Sequence, residues 1–446
     1  MMRTSPFIRL LVATLFLTTL SFADSQVRIV RLSSVDGDVR IDRNTGAGWE
    51  KAFLNLPITQ GVKLQTGNEG RAEVEFEDGS AVRLAPNSML EFPQLELRDS
   101  GVRLSKVDVK QGTVYVNFRA GKNDELRLSF VRETVEFKDA VHCRVQVREA
   151  DATFAVFKGS STVDGASGSV EVGKNQSVTF DLANHDQSET AKLDAEPFDT
   201  WDKEQEKYHN TYLSKSHDYS PNAYGVSDLN YYGNYFDAPG YGTLWQPYFV
   251  SAGWDPFMNG GWAWFPGAGY TWVSAYPWGW TPYHCGSWLY GPSFGWAWQP
   301  GGCGSWFGVP PVVNAPSTFR QPQPPRGQPG RGTIVMAPRP IIANSLTSSH
   351  RMVIENNSAG LGIPRGSIKD LPRLSTTVRQ TGSVTTNFHP QPPPRPMTPR
   401  PMINAPGTSR PGAPSGVSRP NPMGGASPRS TAPPRSSPTP RGTTRK

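Results

Sequence analysis

The chain has 446 residues and a formal net charge of +7, with 42 Pro and 44 Gly crowded toward its C-terminal half, so only part of it has the composition to build a packed core. Residues 307–446 hold 18 Lys/Arg against Glu355 and Asp370, a net of +16, which leaves −9 for residues 1–306. The basic character belongs to a tail, which excludes a basic globular domain built to hold nucleic acid.

At the N-terminus, Arg3 and Arg9 flank the start of an apolar run, Leu10 to Leu20, and Ser21-Phe22-Ala23 places small residues at the −3 and −1 positions of a cleavage site. This is the pattern of a signal peptide over residues 1–23. The run is about half the roughly 20 residues that a membrane-spanning helix needs. The mature chain is therefore expected to be exported, to the periplasm or to the cell surface and beyond, with no transmembrane span after cleavage.

Residues 24–185 read as a single all-β domain of sandwich or roll type. Apolar and polar residues alternate in Ala72-Glu73-Val74-Glu75-Phe76, in Val114-Tyr115-Val116-Asn117-Phe118 and in Leu126-Arg127-Leu128-Ser129-Phe130. Such alternation gives each strand one buried and one wet face. Asp36-Gly37, Asp78-Gly79 and Asp164-Gly165 supply turns between strands. Cys143 falls inside another alternating stretch and reads as a buried hydrophobe; its neighbour His142 points to the opposite face, so the two do not form a thiol–base pair.

Ordered motifs here resemble the FecR family. They are Gly61-Val-Lys-Leu-Gln-Thr66-Gly67, Gly70-Arg-Ala-Glu-Val-Glu-Phe76, Asp78-Gly79-Ser80-Ala-Val-Arg-Leu84 and Pro86-Asn87-Ser88, followed by Gln111-Gly112-Thr-Val-Tyr-Val and Phe157-Lys158-Gly159. The resemblance implies an envelope protein with an all-β domain. FecR regulators of iron signalling carry a cytoplasmic anti-sigma segment and a membrane helix ahead of this domain. The signal peptide stands in that place here, so the sigma-factor role is not expected to carry over. The family's frequent Arg-Gly-Thr run before a late strand is also replaced, by Val141-His142-Cys143-Arg144.

Residues 186–220 are a connector with one helix, about Thr200 to Ser214. Asp199 is its expected N-cap, and Trp201, Tyr208 and Tyr212 share a face able to dock on the β-domain. Residues 221–307 hold eleven of the chain's 13 Trp, a concentration that calls for a local architecture. Shifting by 26 residues lays Gly253-Trp254-Asp-Pro256 on Gly279-Trp280-Thr-Pro282 and Trp262-Ala-Trp264 on Trp288-Leu-Tyr290, with a looser earlier copy through Tyr235, Pro239, Gly242 and Trp245. A fixed period implies a repeated unit, here a β-hairpin with a Pro-x-x-Gly turn, stacked into an aromatic-cored meander. The pattern resembles a tryptophan-rich domain of unassigned function found downstream of FecR domains. Residues 308–446 are a Pro/Gly/Arg-rich, mostly disordered tail, in which Ile334 to Val384 is aliphatic enough to fold back locally. The whole is mainly β.

No catalytic spacing stands out: there is no Gly-x-Ser-x-Gly, no His-Glu-x-x-His and no phosphate-cradling loop, so no enzyme and no cofactor is expected. Cys285 and Cys303 are a disulfide candidate in an oxidising compartment. His284 beside them offers a third metal ligand without a fourth, so no metal is expected. Two readings of the tryptophans stand side by side. They are the core of short strands, or a subset, Trp254, Trp262, Trp280 and Trp288, forms an exposed platform for sugar rings. The expected partners are an envelope protein or polysaccharide, and through the tail an anionic envelope polymer or lipid surface, but not nucleic acid. The leading reading is an envelope interaction or scaffold protein, and the alternative is a carbohydrate-binding or carbohydrate-processing module.

Overall fold

In the computed structural model the described residues run from 28 to 388, apart from 167, 184–190, 214–221, 267–268, 304–307, 327–333 and 337–350. The signal peptide expected over 1–23 and the tail beyond 388 lie outside them. The fold is mainly β, and no helix among the described residues is long and apolar enough to cross a membrane.

Among the described residues the first module has 17 strands in two layers that share one long strand. One layer runs Pro57–Ile58, Val30–Asp36, Arg71–Glu75, Ala81–Leu84, the second half of Arg103–Phe118, Val141–Val147, Asp151–Lys158, Gln176–Asp181 and Ala191–Lys192. The other runs Glu50–Lys51, Val39–Asp42, Lys63–Thr66, Met89–Leu97, the first half of Arg103–Phe118, Asp124–Phe130, Glu133–Phe137, Ser161–Gly165 and Gly168–Val172. Alternating apolar residues of both layers, among them Val74, Val116 and Val145 from one and Leu64, Val107 and Leu128 from the other, share one core.

The long strand crosses between layers at Gln111-Gly112. Gly112 has φ +81°, and a Cβ there would stand 2.4 Å from the carbonyl oxygen of Asn87. Both the backbone region and the space exclude a side chain. Gly112→Ala is expected to destabilise the protein by about 2–3 kcal/mol, read as a lower urea midpoint.

One sequence expectation fails on the first layer. Its polar face should be wet, yet Arg31, Glu73, Glu75, Arg83 and Arg144 are at most 2% exposed. Helix α1 (Asp199–Leu213) covers this face, and it buries Asp202, Gln205 and His209 as well as Trp201 and Tyr208. The second layer keeps the expected pattern: Leu126, Leu128 and Phe130 are buried, and the residues between them are partly open.

Helix α2 (Val226–Tyr232) leads into three hairpins that follow the sequence period: Gly233–Ala238 with Gly242–Pro247, Gly260–Phe265 with Gly269–Ser274, and, after the short helix α3 (Thr281–His284), Cys285–Gly291 with Gly295–Cys303. Trp245, Trp272 and Trp298 hold equivalent places, opposite Tyr235, Trp262 and Trp288. The Trp245 indole lies across Gly233 and the Trp272 indole across Gly260, where a Cβ would come within 2.4 and 2.6 Å of the rings. The repeat thus couples a glycine to a tryptophan.

The hairpins do not stack in chain order. The first and third join, Trp245 beside Trp298, in a five-stranded sheet completed by Val312–Val313. The second forms a separate sheet with Ile334–Met336. Its two faces explain the difference. Ala263, Phe265 and Val273 enter the core of the first module, whereas Trp262 and Trp272 enter the aromatic core. Residues 351–388 close that aromatic core. The hairpin Arg351–Glu355 with Ser383–Asn387 and helix α4 (Leu371–Thr381) contribute Met352, Ile354, Leu371 and Val378, joined by Ile363 and Ile368. These residues, most of them in the stretch of the tail expected to fold back locally, belong to the folded body because all of these side chains face the tryptophans, while Val353 stays exposed.

Candidate functional site

Trp254, Trp262, Trp280 and Trp288 are 2, 5, 0 and 0% exposed. None of the four can offer a stacking platform, and the reading as a binding face is corrected to one of packing. The Trp254 indole N–H donates to the Tyr276 hydroxyl at 3.0 Å, Trp262 meets Trp272 edge-on at 5.5 Å, and Trp280 meets Tyr224 at 5.5 Å. Trp288 stands 6.0 Å from Trp278, which is the hub of the cluster and was not singled out by spacing. Short strands rich in glycine have little aliphatic bulk, so indoles supply the buried area.

Cys285 and Cys303 are joined by a disulfide across the base of the third hairpin. With a sequence separation of 18, its loss is expected to cost about 3 kcal/mol, seen as a lower Tm in the Cys285→Ser/Cys303→Ser variant. Cys143 is fully buried, and burial pushes its thiol pKa up, with a smaller push from Asp202. Among the described residues no group of three His, Cys, Asp or Glu is placed to hold a metal ion.

The densest chemistry lies on the covered face of the first layer. Cross-strand register sets Glu73 beside Arg83, Arg83 beside Tyr115, and Tyr115 beside Arg144, in one row over four strands. Helix α1 brings carboxylates onto this row. Asp202 accepts from Arg83 at 2.8 Å and lies 2.6 Å from His142, and Asp199 accepts from Arg144 at 2.6 Å and from the Tyr115 hydroxyl at 2.9 Å. His209 approaches Glu73 at 3.0 Å.

Next to this row the modules meet. Arg31 pairs with Asp228 of α2 at 2.7 Å and donates to the Pro277 carbonyl at 2.7 Å and to Asn55 at 3.0 Å. Asn55 in turn donates to the carbonyls of Ser274 and Tyr276 at 2.9 and 2.8 Å. Arg365, from the C-terminal segment, forks onto Asp228 at 2.8 and 2.7 Å and reaches Glu73 at 2.7 Å. Three stretches far apart in sequence therefore share one buried ionic network.

Burial opposes the charge on Glu73, but His209, Arg83 and Arg365 outweigh it and hold the carboxyl well below its ordinary value. Asp228 is lowered likewise, against burial, by Arg365 and Arg31, and Asp202 by its bond to His142 and by Arg83. Burial lowers the pKa of Arg365, but Asp228 and Glu73 raise it well above the usual guanidinium value. Glu73, Asp202, Asp228 and Arg365 are thus fixed in their charged forms.

One part of the network has the form of a hydrolytic triad. Ser227 Oγ lies 3.2 Å from His209 Nδ1, and His209 Nε2 lies 3.0 Å from Glu73. Ser227, His209 and Glu73 are 1, 3 and 0% exposed, and Glu73 also accepts from Ser33, Arg83 and Arg365. A substrate has no approach to this serine. The array is a structural joint. Spacing could not find it, because its members come from α1, α2 and a strand; the only signal was the charge of opposite sign on neighbouring alternating strands.

Residues 62–161 match the family model described as FecR protein, and residues 226–320 match one described as a family of unknown function (DUF6600). Among curated proteins nothing matches. Two crystal structures of a candidate anti-sigma factor from Parabacteroides distasonis ATCC 8503, at 1.65 and 2.50 Å, are similar to part of this chain, with 16 and 15% identity and a TM-score of 0.27 in each case. Each match covers 31% of this chain and 63% of the other, so this chain spans less than two-thirds of their length.

Proposed function

We propose that this FecR-domain protein is an exported, non-catalytic interaction platform of the bacterial envelope, in which the FecR domain and the tryptophan-rich domain act as one rigid body. The observation that supports this reading most is the junction. Arg31, Glu73, Asp228 and Arg365 tie both domains and the C-terminal segment together in a site no substrate enters. A hinge or a catalytic cleft needs mobile or open polar groups at such a boundary; here they are paired and buried. Export rests on the basic, apolar and small-residue succession of residues 1–23. The tail, rich in Arg and Pro, serves as an electrostatic tether to anionic polymer or lipid surfaces.

Two measurements test the reading in cells. Fractionation with N-terminal sequencing should recover a mature chain that begins at Asp24 outside the cytoplasm. Photo-cross-linking from exposed positions of the full chain should then capture the same envelope partner repeatedly. A chain that keeps residues 1–23 and stays in the cytoplasm would overturn the export reading. An isolated protein that turns over an envelope polysaccharide would overturn the non-catalytic one.

A further inference from the structure

A groove of about 900 Å³ opens where the first module meets Pro266, just after the strand Gly260–Phe265. Its walls are Arg43-Asn44, Thr59-Gln60 and the strand end and turn from Leu95 to Ser100, and Pro266 closes it from the aromatic domain. Ligand sites favour such boundaries between modules, and the volume is of the size they use.

The walls are held in place from both sides. Arg43 is 1% exposed; it pairs with Glu50 at 2.8 Å, donates to the carbonyl of Trp264 and lies over the Phe265 ring at 5.2 Å. The Asn44 carboxamide rests against Gly61, where a Cβ would come within 2.8 Å of Nδ2. Gln94 donates to Glu96 at 2.7 Å and orients that carboxylate. The Arg98–Val102 backbone bond of 2.9 Å closes the turn that carries Asp99 and Ser100.

The chemistry of the lining selects a ligand class. Asn44 and Gln60 present planar amides, Thr59 and Ser100 hydroxyls, Glu96 and Asp99 acceptors, and Leu95, Leu97 and Pro266 short apolar surfaces between them. The cations are already engaged, Arg43 by Glu50 and Arg98 by Glu125 at 3.3 Å. No surplus positive charge is left for a phosphate or an acidic polymer. Alternating hydroxyls and C–H faces, on a ring without charge, fit it on every side. We propose that this groove binds a neutral glycan chain. The proposal goes beyond the platform reading, which stands or falls without it.

The test titrates the full-length protein with a panel of neutral hexasaccharides, including those of glucose and of N-acetylglucosamine. Calorimetry is run in about 0.5 M NaCl, where contacts of the basic tail are screened. At least one hexasaccharide should bind. Gln60→Ala combined with Asp99→Ala should weaken it by about tenfold or more, with unchanged melting. Leu97→Arg, which fills the groove from an exposed position, should abolish binding. The proposal is overturned if no neutral hexasaccharide binds at millimolar concentration, if both variants bind like the parent, or if only an acidic polysaccharide such as polygalacturonate binds.

Discussion

Exchanging Glu73 for glutamine is expected to lower the unfolding free energy by about 3–5 kcal/mol, although the two side chains have almost the same shape. Glu73 is 0% exposed and holds Arg83, Arg365 and His209 together with the Ser33 hydroxyl. A neutral amide takes one counter-charge from each of two buried guanidiniums, leaving Arg83 to Asp202 and Arg365 to Asp228, and turns its own NH₂ toward a donor. Because the carboxylate ties a strand of the FecR domain to α1 and to the C-terminal segment, the loss should reach both domains at once. Urea unfolding followed by tryptophan fluorescence, which reports the aromatic core, and by far-UV circular dichroism should shift together. A change below about 1 kcal/mol, or a shift in only one signal, would show that the network is not what joins the domains. Adding Arg365→Gln to Glu73→Gln should cost less than the sum of the two single changes, since each already breaks the same pair.

The same network sets the response to acid. Glu73, Asp202 and Asp228 have their pKa values depressed below ordinary values of 4.5 for Glu and 3.8 for Asp. A carboxylate that is harder to protonate in the folded state stabilises the fold fully above its unfolded pKa. That contribution fades as the pH falls through the depressed value. The contribution of these three carboxylates should therefore be constant through the neutral range and be lost beneath the ordinary carboxylate range, below a gentler loss from His284, whose pKa burial lowers to about 3. Glu73→Gln should flatten the carboxylate limb. An acid limb of the same slope in the variant would assign acid unfolding to other carboxylates.

Much of the fold was readable because two periods are strong in this chain. Alternation in stretches such as Leu126 to Phe130 predicts strands with one buried face, and the second layer has them. The 26-residue period around Trp262 and Trp288 predicts hairpins, and both are present, with the spacer Pro292 to Gly295 at the turn of the later one. What alternation cannot report is what covers the polar face. Glu73, Glu75 and Arg83 look wet in sequence, and they are dry because α1, α2 and Arg365 bring matching charges from far along the chain. The docking helix was found by its aromatics, yet Asp202 and His209 on the same stripe hold the ionic joint. Composition placed residues 351–388 in the tail and marked Ile334 to Val384 as able to fold back locally, without telling what surface they meet. Few apolar residues suffice there, because the surface they cover is already almost all aromatic.

Trp278→Ala is expected to cost about 3–5 kcal/mol, as much as any substitution in the aromatic domain. Trp278 is 0% exposed and stacks on Tyr276 at 4.9 Å with an interplanar angle of 6°. Trp245 lies 4.9 Å and Trp288 6.0 Å away, and the indole N–H donates to the carbonyl of Ala359 at 2.7 Å. Its removal leaves a cavity under the first and third hairpins, which share one sheet, and unties the C-terminal segment from them. Proteolysis should then cut within residues 351–388 under conditions that spare the parent. Trp49→Ala, at a position 38% exposed, should change stability by no more than about 0.5 kcal/mol. The pair separates the two meanings of a tryptophan-rich sequence. Indoles that bind ligands are lost without harm to the fold, whereas indoles that replace an aliphatic core take the fold with them. If Trp278→Ala melts like the parent, the aromatic cluster is not the core of this domain, and the burial of Trp254, Trp262, Trp280 and Trp288 would need another cause.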